Sequence, residues 1–163
     1  TLHLAALMKN KGQIIALDIY EWKLAELKRR AKRAGAHNIE TRFIEDNKVI
    51  KRLHEKADRL LIDAPCSGLG VLKRNPDSKW KIDQDFIDRI KNEQQQILQD
   101  YSKMLKKGGK MVYATCSILP SENNEQVETF LKNNEGFTLL KEEKVMPSDG
   151  FDGFYMALIQ RNA

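Results

Sequence analysis

The sequence of 163 residues has the length of one domain, and its 41% hydrophobic and 31% charged residues exclude both a disordered chain and a membrane span. Lysine and arginine outnumber the acidic residues by 28 to 23, and the resulting net charge of +5 permits polyanion binding without establishing it. Two cysteines do not make a disulfide scaffold and no signal peptide is recognisable, so we expect a single cytoplasmic domain.

Short apolar runs alternate with stretches of helical period, which is typical of an α/β domain with a helix-covered parallel sheet. Strands are predicted, in chain order, at residues 13–17, 39–44, 59–62, 110–115, 137–145 and 153–159. Amphipathic helices are predicted over residues 20–34 and 83–106, and residues 1–8 predict another helix. We expect Gly108 and Gly109 to end the helix of residues 83–106 with a left-handed cap.

Asp18 is the first candidate functional residue, because it ends a predicted strand and precedes an amphipathic helix. Ligands of open α/β sheets bind outside the carboxyl ends of the strands, where a carboxylate can accept hydrogen bonds from both hydroxyls of a ribose. An aspartate in this position can equally cap the following helix. The position alone leaves both interpretations open.

Two other predicted strands continue directly into segments that contain cysteine. Residues 60–62 run into Asp63-Ala-Pro-Cys66-Ser-Gly, and residues 111–114 run into Thr115-Cys116-Ser. If these strands are neighbours in a parallel sheet, their thiols face one cleft. Two inert buried thiols are the alternative. No metal site is expected, because two thiols without a nearby histidine make a poor zinc site.

A resemblance to a known family rests on four segments of the sequence. These are Asp63-Ala-Pro-Cys66-Ser-Gly, Arg74-Asn-Pro-Asp77 with Trp80, Thr115-Cys116-Ser, and Asp152-Gly-Phe-Tyr155. They resemble the Nop/Sun family of S-adenosylmethionine-dependent RNA cytosine-5 methyltransferases, whose bacterial members include Sun/Fmu-like ribosomal RNA enzymes. The resemblance implies the doubly wound, Rossmann-like α/β methyltransferase fold, with residues 1–163 forming the C-terminal part of the catalytic domain.

The resemblance also implies a mechanism, in which a methyl group passes to carbon 5 of a cytosine through a covalent cysteine adduct. Carbon 5 is not nucleophilic until a thiolate has added to carbon 6. By similarity Cys116 is that nucleophile, Cys66 assists loss of the carbon 5 proton and release of the enzyme thiol, and Asp63 binds the base. We expect the substrate to be ribosomal RNA ahead of transfer RNA.

For the cofactor, S-adenosylmethionine, the resemblance implies four binding residues. Asp18 is expected on the ribose hydroxyls, Lys23 near the adenosine and Asp46 beside the adenine amine, and Asp63 is the fourth residue. Lys23 stands where the family often has arginine, so the charge is kept without the planar fork. For Asp46, a capped and solvated turn is an equal alternative.

Family members carry a Gly-rich cofactor loop after the first strand, ending in Gly-Gly-Lys-Thr, and this sequence begins at the Thr. We therefore expect the first strand and the loop to be missing, and the enzyme assignment to apply to a longer parent protein. Two other functional classes stay open. One is an inactive RNA-binding relative. The other is a different Rossmann-like enzyme, either an amino-group methyltransferase or a nicotinamide dehydrogenase.

RNA is the expected partner, and the segment after the first cysteine motif carries the candidate contacts. Cations that can meet phosphates and an aromatic ring that can pack on a nucleotide occur together at Lys73, Arg74, Lys79 and Trp80. For Trp80 the alternative is a buried ring that anchors the loop to the following helix.

Overall fold

The computed structural model describes all residues from Thr1 to Ala163 and divides them into two compact units. The first unit is Thr1–Arg52 and the second is Leu53–Ala163. Neither unit contains a helix that is both long and apolar enough to cross a membrane.

The first unit pairs two strands in parallel and has three helices. Its elements are α1 (Leu2–Leu7), β1 (Ile14–Asp18), α2 (Glu21–Arg33), β2 (Ile39–Phe43) and α3 (Asn47–Lys51). The pairing of β1 with β2 runs from Ile14 opposite Ile39 to Asp18 opposite Phe43. Helix α2 buries Leu24 and Ala31, which are seven positions apart and therefore lie on one face. This β-α-β arrangement places Asp18 at the carboxyl end of a strand, as predicted.

The second unit has a mixed sheet with the strand order β3-β4-β6-β5. Its elements are β3 (Ala57–Asp63), α4 (Gln84–Tyr101), β4 (Leu105–Thr115), α5 (Asn124–Asn133), β5 (Phe137–Val145) and β6 (Phe154–Arg161). Strands β3 and β4 are parallel, whereas β6 runs antiparallel to both β4 and β5. The short connection from β5 to β6 can only join antiparallel strands, so this part of the sheet departs from the predicted parallel order.

The core of the second unit lies between the sheet and its two long helices. Leu98 of α4 and Phe130 of α5 are fully buried in one cluster with Met111, Tyr113 and Ile159 from the central strands. Burying a side chain of this size stabilises the folded state by about 2 kcal/mol. Packing in this core therefore fixes the positions of the central strands β4 and β6. The loop that follows β4 starts from this fixed strand.

The predicted end of the long helix was wrong. Helix α4 ends at Tyr101, a 3-10 turn covers Ser102–Met104, and β4 begins at Leu105. Leu105 is fully buried, so the chain enters the sheet before it reaches the two glycines. Gly108, with φ +74°, lies instead in an irregular stretch of β4, where the register with β3 shifts. Gly108 does adopt the predicted left-handed conformation, but it does so in a β-bulge and not in a helix cap.

Candidate active site

The two cysteine segments leave the sheet side by side. Strands β3 and β4 are parallel neighbours, and the last residue of β3, Asp63, pairs with Ala114. The loops that follow bring the sulfur atoms of Cys66 and Cys116 to 3.3 Å, within hydrogen-bond distance. Both thiols are free and half-buried. This confirms the expectation that neighbouring parallel strands bring the two thiols together.

The contact between the two thiols shifts their pKa values in opposite directions. A hydrogen bond from Cys66 lowers the pKa of the Cys116 thiol to about 7, although burial and the carboxylates of Asp63 and Glu122 act in the opposite direction. The same contact and burial raise the pKa of Cys66 far above its usual range. Because the thiolate is the nucleophilic form of cysteine, this difference in pKa favours Cys116 over Cys66 as the thiol that ionises near neutral pH.

A buried carboxylate lies beneath the two cysteine loops. Glu122, in the 3-10 turn Pro120–Glu122, accepts hydrogen bonds from the backbone N–H and the hydroxyl of Ser67, at 2.7 and 2.5 Å. It also accepts a hydrogen bond from the hydroxyl of Ser117. Glu122 is not among the site residues predicted from the sequence. The one signal that could have indicated it is the repeated Cys-Ser pair, since each serine directly follows a cysteine.

Two glycines bring a third segment against the cysteine loops. The N–H of Gly70 donates to the carbonyl of Cys116 at 2.9 Å, and the N–H of Gly153 donates to the carbonyl of Gly70 at 2.7 Å. Arg74 forms an ion pair with Asp152 across the same contact. The segment Asp152-Gly-Phe-Tyr155, one of those carrying the family resemblance, therefore packs against the loop that follows Cys66.

Asp63 is exposed at the end of β3, three residues before Cys66. Its carboxylate is close enough to Cys116 to act on the pKa of that thiol. The structure thus groups three of the predicted site residues, Asp63, Cys66 and Cys116, at one end of the β3-β4 pair.

The remaining predicted cofactor residues lie in the first unit. Asp18 ends β1, accepts a hydrogen bond from the N–H of Tyr20 at 2.8 Å, and has Lys23 Nζ at 3.8 Å from its other carboxylate oxygen. Lys23 also lies 4.6 Å from the centroid of the Tyr20 ring. Asp46 is the N-cap of α3 and accepts a hydrogen bond from the N–H of Lys48 at 2.8 Å. Capping, the alternative considered for Asp46, is therefore present.

The predicted RNA contacts lie between the cysteine segments. Trp80 ends the 3-10 turn Pro76–Trp80 and is 80% exposed, with Lys79 Nζ at 4.8 Å from its ring centroid. Its interpretation as a buried anchor is wrong. Arg74 is engaged by Asp152, and Lys73 borders a cavity of ≈ 240 Å³ whose lining includes Ile118 and Phe151. No group of three or more histidine, cysteine or acidic residues is placed to hold a metal ion.

Comparison with known proteins agrees with these features. Residues 1–160 match the family described as 16S rRNA methyltransferase RsmB/F. A probable ribosomal RNA small subunit methyltransferase B of Bacillus subtilis is 38% identical over 136 residues, covering 83% of this chain and 30% of the relative. The ribosomal RNA small subunit methyltransferase B of Yersinia enterocolitica is 39% identical over 163 residues, covering 93% of this chain and 37% of the relative. The chain thus spans about a third of the length of these relatives.

Solved structures share the fold. NSun6 from Pyrococcus horikoshii, solved with SFG, superposes with a TM-score of 0.86 at 28% identity, over 99% of this chain and 44% of that one. A methyltransferase homolog protein from the same organism gives a TM-score of 0.83 at 27% identity, over 99% of this chain and 57% of that one. These likenesses confirm the predicted Rossmann-like methyltransferase fold. From the match over residues 1–160, the chain belongs to the RsmB/F family of 16S rRNA methyltransferases.

Proposed function

We propose that the protein to which this chain belongs is an S-adenosylmethionine-dependent RNA cytosine-5 methyltransferase, and that residues 1–163 are the C-terminal part of its catalytic domain. The observation that carries the proposal is the contact between Cys66 and Cys116 at 3.3 Å, with the Cys116 pKa lowered to about 7. Methylation at carbon 5 requires a thiolate nucleophile, and this contact supplies one at neutral pH. The names of the relatives support the same reaction class.

In the proposed reaction, the Cys116 thiolate forms a bond to carbon 6 of the cytosine, and the electron pair displaced from the ring double bond makes carbon 5 nucleophilic. Asp63, exposed beside the thiols, is proposed to bind the base by accepting a hydrogen bond from its exocyclic amine. S-adenosylmethionine supplies the methyl group when it is bound. Loss of the carbon 5 proton to a base and departure of the Cys116 thiolate then restore the aromatic ring.

The structure supports a role for Cys66 in the second half of this reaction. The pKa of Cys66 is raised first by its hydrogen bond to Cys116, then by burial and by the charge of Cys116. Once Cys116 is bonded to carbon 6 it is no longer an anion, so two of these causes disappear. The pKa of Cys66 then falls, so its thiol loses its own proton to solvent more readily, and we propose that the resulting thiolate accepts the carbon 5 proton.

Residues of the first unit are proposed to bind the cofactor. The carboxylate of Asp18 lies at a strand end, where it can accept both hydroxyls of a ribose, and Lys23 and Tyr20 beside it offer a cation and an aromatic face. This set of groups fits a nucleoside. Asp46 is proposed to meet the adenine amine with Oδ2, the carboxylate oxygen that is outside the capping bond and that pairs with Lys48 Nζ at 3.2 Å. Asp63, in the second unit, is the fourth residue proposed to contact the cofactor.

RNA is the proposed partner, with ribosomal RNA ahead of transfer RNA because the matching relatives carry ribosomal RNA names. Exposed Trp80 with Lys79 beside it suits a contact with an unpaired nucleotide, and Lys73 and Arg74 lie on the same segment. These relatives are bacterial, and ribosomal RNA lies in the bacterial cytoplasm, so we also propose a cytoplasmic location.

A covalent trap tests the proposal. The whole protein is incubated with S-adenosylmethionine and RNA containing 5-azacytidine, and a protein–RNA adduct is sought on a denaturing gel. We expect an adduct that is lost in Cys116→Ala and kept in Cys66→Ala. If no adduct forms although RNA still binds, the protein is an RNA-binding relative without this chemistry, and the proposal is wrong.

A further inference from the structure

Glu122 is fully buried, and its side-chain carboxylate accepts hydrogen bonds from four neighbouring donor groups. Ser67 donates through its N–H to Oε1 and through its hydroxyl to Oε2. Ser117 donates its hydroxyl to Oε2, and Gln94 of α4 donates Nε2 to Oε1 at 3.1 Å. A carboxylate is an acceptor-only group, so these four donors match its capacity.

Two of the donor residues, Ser67 and Ser117, come from the two cysteine loops, and they occupy equivalent positions in those loops. Each serine follows its cysteine directly, donates its hydroxyl to the same oxygen of Glu122, and accepts the backbone N–H two residues further on. These N–H groups belong to Leu69, at 3.4 Å, and Leu119, at 3.2 Å. One carboxylate oxygen therefore joins the turn after Cys66 to the turn after Cys116.

Glu122 is itself held in place by the core of the second unit. The hydroxyl of buried Tyr113 donates to the backbone carbonyl of Glu122 at 2.8 Å. Gln94 donates not only to Glu122 but also to the carbonyl of Pro65 at 2.8 Å, just before Cys66. The carboxylate is thus a fixed point, and the two loops are attached to it.

We propose that Glu122 is a positioning residue that holds the two cysteine loops at the separation where the Cys66 thiol donates a hydrogen bond to the sulfur of Cys116. Neither the family match nor the resemblance of the cysteine motifs assigns this role to it. The inference deepens the proposed function, because it concerns the same thiols. It can be tested without RNA or S-adenosylmethionine, so its failure and the failure of the proposed function are distinguishable.

Glu122 could act on Cys116 through its charge or by holding the loops in position, and the two possibilities predict opposite changes in the Cys116 pKa when Glu122 is replaced. The groups that act on Cys116 are Cys66, whose hydrogen bond lowers its pKa, and the carboxylates of Asp63 and Glu122, whose charges raise it. If Glu122 acted only through its charge, removal of the charge would lower the Cys116 pKa. If it acts by holding the loops, its replacement weakens the Cys66 hydrogen bond and raises the Cys116 pKa.

The experiment measures the rate at which iodoacetamide alkylates Cys116 in the whole protein as a function of pH, with the modified peptide identified by mass spectrometry. In Glu122→Gln an amide nitrogen replaces one of the two acceptor oxygens. We expect the pH midpoint of alkylation to rise and the rate at pH 7 to fall about 10-fold, because the thiolate fraction falls. A lowered midpoint in Glu122→Gln would overturn the proposal.

A second variant keeps the test decisive if Glu122→Gln does not fold. In Ser67→Ala with Ser117→Ala the buried charge stays and the two hydroxyl donors are removed. The proposal expects the midpoint to rise here as well, and an unchanged midpoint contradicts it. Ile159→Val, a change in the buried core away from the cysteine loops, is the control for general loss of stability and should leave the midpoint unchanged.

Discussion

Cys116 and Cys66 are chemically identical side chains that their surroundings make different. The thiols lie 3.3 Å apart, and a thiolate at Cys116 receives the hydrogen bond that Cys66 can give only while it keeps its own proton. The pKa values therefore move in opposite directions, to about 7 for Cys116 and upward for Cys66. Site chemistry at this scale depends on one hydrogen bond between two residues that are 50 positions apart in the sequence.

The pH dependence of thiol reactivity follows from this hydrogen bond. The rate of Cys116 alkylation should rise with pH through a midpoint at about 7, because the pKa of its thiol is lowered. In Cys66→Ala the donor is lost, so the midpoint should move up toward the ordinary value of about 8.5 and the rate at pH 7 should fall about 10-fold. Peptide-resolved alkylation measures both. An unchanged midpoint in Cys66→Ala would show that Cys66 does not stabilise the thiolate.

Gly70 is the residue at which the cysteine loops and the segment of Gly153 meet most closely. A Cβ at this position would lie 2.2 Å from the carbonyl oxygen of Gly153 and 2.7 Å from that of Cys116. Because both contacts are with backbone, we expect Gly70→Ala to lower the free energy of unfolding by about 3 kcal/mol in urea denaturation. Gly136→Ala, where a Cβ meets nothing within 4 Å, is the matched control and should change stability by less than about 0.5 kcal/mol. Equal effects of the two substitutions would contradict the packing described here.

At the scale of elements, every predicted strand overlaps an observed one, although β2 and β5 mix charged with apolar residues and only the other strands are predominantly apolar. The end of α4 was not predictable, because a glycine with positive φ occurs in β-bulges as well as in helix caps. Helix α5 was missed. Glu122 was also missed, because two of its three donor residues, Ser67 and Gln94, lie 55 and 28 residues away, and nearby Ser117 alone does not indicate a buried carboxylate. The grouping of Asp63, Cys66 and Cys116 was predictable, because each lies at or just after the end of one of two strands that pair.

Helix α3 provides a test that separates capping from cofactor binding at Asp46. In Asp46→Ala the hydrogen bond to the N–H of Lys48 is lost, and we expect the free energy of unfolding to fall by about 1 kcal/mol. Asparagine caps helices as well as aspartate does, so Asp46→Asn should keep stability within about 0.5 kcal/mol of the parent protein. If Asp46 also binds the adenine amine, Asp46→Asn should still weaken S-adenosylmethionine binding in calorimetry. An unchanged affinity for S-adenosylmethionine would show that Asp46 caps the helix and does not bind the cofactor.

At the scale of the whole molecule, the net charge of +5 on residues 1–163 predicts that the proposed RNA binding weakens as salt is added. Two neighbouring residues should contribute to binding in different ways. Lys79→Ala should reduce the slope of log affinity against log salt concentration by about 1, because one phosphate contact is lost. Trp80→Ala should leave the slope unchanged and cost about 2 kcal/mol of binding, because a stacked base is lost. Filter binding of the whole protein at several salt concentrations measures both, and Lys132→Ala on α5 serves as a charge-matched control.

In the proposed reaction, Cys116 bonds to the cytosine and Cys66 assists its release. The measurement that tests this most directly uses natural RNA and the Cys66→Ala variant of the whole protein, with S-adenosylmethionine present. The account predicts that Cys66→Ala accumulates a covalent protein–RNA adduct on a denaturing gel, and that adding Cys116→Ala abolishes it. An adduct that survives Cys116→Ala, or full methylation activity in Cys116→Ala, would contradict the account.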